Sequence, residues 1–111
     1  MLDPLSGRLS HYMNLLAERQ KLVAANIANI DTPNYRTKDI DFNFEFQSLV
    51  DGQKPNTIEA EGLKTKNDGN NVSMDREMRL LSETALRFNF VSQVLKSEAR
   101  DFRLAIRDAR G

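Results

Sequence analysis

The chain of 111 residues contains no cysteine, no tryptophan and a single histidine, and only 7% of it is aromatic. Without thiols it has no disulfide, no zinc–cysteine site and no cysteine nucleophile, a composition that suits an oxidising compartment. An excess of one charge is missing too. Sixteen basic residues meet sixteen acidic ones, so no bulk field selects nucleic acid or an acidic surface. No run approaches the roughly 18 apolar residues of a membrane-spanning helix. The N-terminus does not read as a secretory signal: Asp3, Arg8, His11, Glu18 and Arg19 interrupt any apolar core, and no small-residue cleavage site follows. Export would have to proceed without a cleaved signal peptide.

The usual outlines of a reaction centre are also missing. His11 falls on a predicted helix with no catalytic partner in view. No glycine-rich phosphate loop occurs. Asp39-x-Asp41-x-Asn43 imitates the opening of a calcium loop, but Phe44 stands where glycine is required and Val50 where glutamate is required. The C-terminal arginines are interleaved with Glu98, Asp101 and Asp108, which describes a solvated or interface face with local ion pairs better than a nucleic-acid stripe. The expectation is a non-enzyme with no cofactor, no metal, no nucleic acid and no small-molecule substrate.

What is present is helical patterning at both ends. Asp3 is placed to cap a helix whose first position is Pro4. Leu2, Leu9, Leu16, Val23 and Ile30 recur every seven residues, with Leu5, Tyr12, Met13 and Ile27 beside them. Pro33 disfavours helix at Thr32, so the spacing predicts a helix from about residue 4 to about residue 30. In the middle, Ile40, Phe42, Phe44 and Phe46 alternate with polar residues and predict a half-buried strand. A weaker strand is expected around Thr57 to Thr65, with turns at Asp51-Gly52, Pro55-Asn56 and residues 67–71.

The C-terminal third has the strongest period. Met74, Met78, Leu81, Ala85, Phe88, Ser92, Leu95, Ala99, Phe102, Ile106 and Ala109 follow steps of four and three. Ser73 is a natural N-cap; Asp75 and Glu77 suit the positive end of the helix dipole, and Arg103, Arg107 and Arg110 the negative end. Leu86, Phe90 and Leu104 fall near the opposite face, so this helix, over about residues 74–109, expects more than one neighbour.

Between these regions lies Ala25-Asn26-Ile27-Ala28-Asn29-Ile30-Asp31-Thr32-Pro33-Asn34-Tyr35-Arg36. Asn26 and Asn29 share a helix face close to its C-terminal end. They either cap terminal carbonyls or act as buried amides that set register between packed helices, and spacing alone leaves both readings open. The run resembles the N-terminal signature of the bacterial flagellar rod, hook and hook-associated proteins, Ala-Asn-x-Ala-Asn-x-x-Thr-Pro-Gly-Tyr. Asn26, Asn29, Thr32, Pro33 and Tyr35 match it; Asn34 replaces the usual glycine, and asparagine tolerates positive φ well enough to keep the turn. Lys38-Asp39-Ile40-Asp41-Phe42 and residues 69–78, together with the short length, are most similar to the proximal-rod members of the family.

That resemblance implies a mainly α fold of the rod/hook inner-domain type. Residues 1–36 and 70–111 would supply long N- and C-terminal helices pairing as a coiled coil, and residues 37–69 a variable, polar, partly β or disordered middle with a short strand or hairpin. It also implies a structural subunit of the basal-body rod on the periplasmic side, exported by the flagellar type III apparatus without a cleaved signal. Its partners would be itself, other rod subunits, and membrane-ring and export-gate components at the rod base. Leu9, Leu16, Val23, Leu81, Phe88, Leu95 and Phe102 are expected to pack the helix seam. The competing reading is a helical adaptor or export chaperone that offers the same seams to another partner.

Overall fold

A computed structural model describes residues 4–48 and 55–109. Asp3 as a cap, Leu2 in the heptad stripe, the Asp51-Gly52 turn and Arg110 at the last helix end lie outside the described residues. The molecule is an elongated helical hairpin, about 70 Å long and 24 by 18 Å across. Helix α1 runs Pro4–Ala28, strand β1 Lys38–Ile40, helix α2 Phe42–Ser48, strand β2 Thr57–Glu59 and helix α3 Met74–Ala109. Among the described residues, no helix is long and apolar enough to cross a membrane.

α1 and α3 lie antiparallel. Asn26 near the end of α1 meets Glu77 near the start of α3, and Ser6 near the start of α1 meets Glu98 well along α3. α1 buries two flanks. Leu16 and Val23 serve one, and His11, Leu15 and Asn26 serve the flank that carries the middle segment. Leu15, only 2% exposed, is a core residue outside the seven-residue stripe. The reason is that α1 has two neighbours, while a single heptad stripe describes one.

β1 and β2 form a two-stranded antiparallel ribbon, with Lys38 opposite Glu59, Asp39 opposite Ile58 and Ile40 opposite Thr57. The strand expected through Phe46 stops at Ile40, and a short helix takes its place. Asp41 starts that helix: its Oδ1 accepts the Phe44 N–H at 3.2 Å, and its carbonyl accepts the Glu45 N–H. Phe42 and Phe46, one helical turn apart, both set their rings edge-on to Tyr12 of α1, with centroids 5.5 and 5.8 Å away. Phe44, which a strand would have buried with them, is left exposed. Every second residue being phenylalanine fits either period, and the aromatic surface of α1 decides for the helix.

α3 begins where Ser73 Oγ accepts the Arg76 N–H. Its fully buried residues are Glu77, Thr84 and Val91. None of the apolar stripe from Met74 to Ala109 is buried. Glu77 is turned inward by polar contacts described below, and this rotates the stripe onto the open flank of the hairpin. From residue 100 onward every described position is exposed, because α3 continues past the start of α1.

Candidate assembly interface

The signature run folds into a polar clasp centred on Asn26, which is completely buried. Its Nδ2 donates to the Lys38 carbonyl at 2.9 Å and to Glu77 Oε1 at 2.8 Å. Its Oδ1 accepts the Lys38 N–H and the Tyr35 hydroxyl, each at 3.0 Å. All four hydrogen-bonding positions of the amide are filled. One side chain thus acts as a strand partner for Lys38 and ties α1 to β1 and α3 together.

The clasp extends through charges. Glu77, fully buried, accepts Arg76 Nη1 at 2.6 Å through Oε2, and Arg76 Nη2 donates to Asp39 Oδ2 at 2.6 Å. Arg19 of α1 reaches the same carboxylate with Nε and Nη2 at 3.1 and 3.0 Å, a forked pair. Burial by itself would raise the Asp39 pKa. Hydrogen bonds from Arg19 and the Ile40 N–H, with the charges of Arg19 and Arg76, outweigh burial and hold the carboxyl below its usual range. For Tyr35, burial first and the Glu77 carboxylate second push the phenol above its ordinary value, so it remains a donor.

Asn29 does something different. Its Nδ2 caps the Ala25 carbonyl four residues back at 2.8 Å, and its Oδ1 accepts the Thr32 hydroxyl at 3.0 Å. The two asparagines therefore divide the two readings, Asn26 as a buried amide and Asn29 as a cap. After Pro33, Asn34 takes φ of 64°, so the left-handed turn persists without glycine. Gly69 supplies the space opposite: its φ is 86°, and a Cβ there would collide with Asn34 Oδ1 and crowd the Asn34 Cα at 3.2 Å.

Asn70 and Asn71, expected to be loop material, are buried. Asn70 Nδ2 donates to the carbonyls of Asn29 and Thr32, finishing the end of α1 from a distance. Asn71 Oδ1 accepts the Thr37 N–H at 2.6 Å. His11 is buried as well, and its Nε2 bonds the Glu45 carbonyl at 2.8 Å beside the Phe46 ring, pinning α2 to α1. Asp39, which opens the calcium-like triplet, has its carboxylate engaged by two arginines.

The seam residues divide. Leu16 and Val23 are buried, Leu9, Leu81 and Leu95 are half-buried, and Phe88 and Phe102 are 37% and 46% exposed. Between the helices the stripe surfaces as an apolar groove of about 520 Å³, floored by Leu16 and Phe88 and edged by Ala17, Ala24 and Ala85. On the far side of α3, Leu86 and Phe90 are each 71% exposed.

A saturated polar clasp inside and apolar faces outside describe a helical building element. A family model described as flagella basal body rod protein matches residues 13–36, the latter half of α1 and the turn that follows. The flagellar basal body rod protein FlgB of Yersinia ruckeri is 31% identical, covering 79% of this chain and 85% of its own length. FlgB of Salmonella typhimurium is 31% identical, covering 90% and 93%, and FlgB of Bacillus subtilis is 31% identical, covering 75% and 80%. The chain belongs to the flagellar basal body rod proteins, a structural family of the flagellum rather than an enzyme family. Within that family it is FlgB-like.

Proposed function

We propose that this chain is a structural subunit of the proximal rod, which assembles through its terminal helices after type III export without a cleaved signal. Residues 1–36 and 70–111 act as the inner coiled-coil domain, and residues 37–69 as the variable middle. The partners are further copies of the chain and other rod subunits, with membrane-ring and export-gate components at the rod base on the periplasmic side. Asn26, Asn29, Thr32, Pro33 and Tyr35 shape the end of α1 so that both helices are presented together.

The observation that carries this reading is the apolar stripe of α3, which α1 covers only in part, leaving Met74, Met78, Phe88, Phe102 and Ile106 exposed. A stripe this long on a free monomer exposes more apolar surface than solubility favours, so it is expected to be covered by neighbours. Basal bodies extracted from cells and probed with an antibody to this chain test the reading. Label at the base of the rod is the expected result. Recovery only as a small soluble oligomer in the cytoplasm would favour an adaptor or chaperone and overturn it.

A further inference from the structure

Resting on the rod reading, we infer that neighbouring copies of this chain contact side by side, the Leu86–Phe90 ridge of one copy entering the α1–α3 groove of the next. The two surfaces are complementary in shape. The groove exists because Ala17, Ala24 and Ala85 are too small to close the space above Leu16 and Phe88. The ridge is two large apolar side chains one helical turn apart, the most exposed of the large apolar residues described. At 100° per residue Leu86 and Phe90 stand about 160° around α3 from Phe88. Ridge and groove therefore occupy different sides of one molecule at the same height, between residues 84 and 90.

A contact between two different patches of the same chain is heterologous, and its repetition generates a ring or a helix rather than a closed pair. Because ridge and groove share a height, successive copies lie alongside each other with little axial stagger. The charges at the rim agree with this pairing. Lys21 edges the groove with its side chain 74% exposed, and its partner in its own chain is Glu18 at 3.3 Å. Glu83, one turn before the ridge, pairs with Arg87 at 3.2 Å. Such surface pairs contribute little and exchange readily, so Glu83 of one copy can meet Lys21 of the next. The groove wall also holds the buried Oε1 of Gln20, which has no hydrogen-bond partner among the described residues.

The native absence of cysteine makes the test direct. Ala17 and Leu86 are both exposed, so cysteine at either place leaves the fold intact. In basal bodies treated with an oxidant, the double variant Ala17→Cys, Leu86→Cys should give a ladder of linked chains. Either single variant should stay unlinked, as should Ser10→Cys combined with Leu86→Cys. Basal bodies that contain the double variant but show no ladder would overturn the contact and leave the rod reading standing. Paired chains from Leu86→Cys alone would also overturn it, by showing a ridge-to-ridge contact. Absence of the unaltered chain from basal bodies would overturn both.

Discussion

At the scale of residues, two asparagines three positions apart have unequal weight. Asn26 satisfies, and is satisfied by, groups on β1, on α3 and on the turn that follows α1. Its loss leaves Glu77 Oε1 short of a partner in a buried place, and the Tyr35 hydroxyl and both backbone groups of Lys38 short of one in part-buried places. A buried group left without its hydrogen bond costs about 1–3 kcal/mol. Asn26→Ala is therefore expected to lower unfolding stability by about 2–4 kcal/mol. Asn29→Ala, which removes a cap and one hydroxyl contact, should lower it by about 1 kcal/mol. Urea melts of both variants check the ranking, and equal losses would deny Asn26 its central place. The pairing of Asn26 with Glu77 was beyond the sequence, for a definite reason. Glutamate in the first turn of a helix already has a local explanation in the helix dipole, and nothing local marks it as buried against a residue 51 positions away.

At the scale of elements, the helices were legible because each has a start, a period and a stop. α1 begins at Pro4 and ends before the Thr32-Pro33 turn, and α3 begins after Ser73. α2 was not legible. Alternating phenylalanines satisfy a strand as well as a helix, and the choice depends on Tyr12 and His11 presenting an aromatic surface some thirty residues away. β1 is held to both long helices through Asp39, which Arg19 of α1 and Arg76 of α3 share. Because the folded carboxyl titrates below its usual value, its contribution is present above the unfolded pKa of about 3.9 and is lost as the pH falls through the lower folded value. Stability should thus decline with acidification from about pH 4 downward. In Asp39→Asn the chain should be weaker at neutral pH, and its decline in that acid window should be smaller. Thermal unfolding across pH checks this, and an unchanged acid slope in the variant would count against it.

At the scale of the whole molecule, inside and outside have different chemistry. The inner contact of the hairpin is fastened by a charged and amide clasp at one end and by Thr84 and Val91 along its length. The strict apolar stripe of α3 runs along the flank and continues past the start of α1. A stripe read from sequence as the seam of two helices is thus divided between the hairpin and the surface, since the rotation of α3 is set by Glu77 and not by the stripe. The division says which substitution separates folding from assembly. Leu95 is half-buried close to Val91, so a charge there disturbs the hairpin along with any contact outside it. Phe102 is 46% exposed, beyond the reach of α1, and a charge there bears on assembly alone. The measurement that tests this account most directly is swimming by a strain whose only copy of the chain carries Phe102→Asp, alongside the melting of that variant in isolation. The account predicts an unchanged melt and no motility; a variant that melts like the native chain and swims like it would contradict the account.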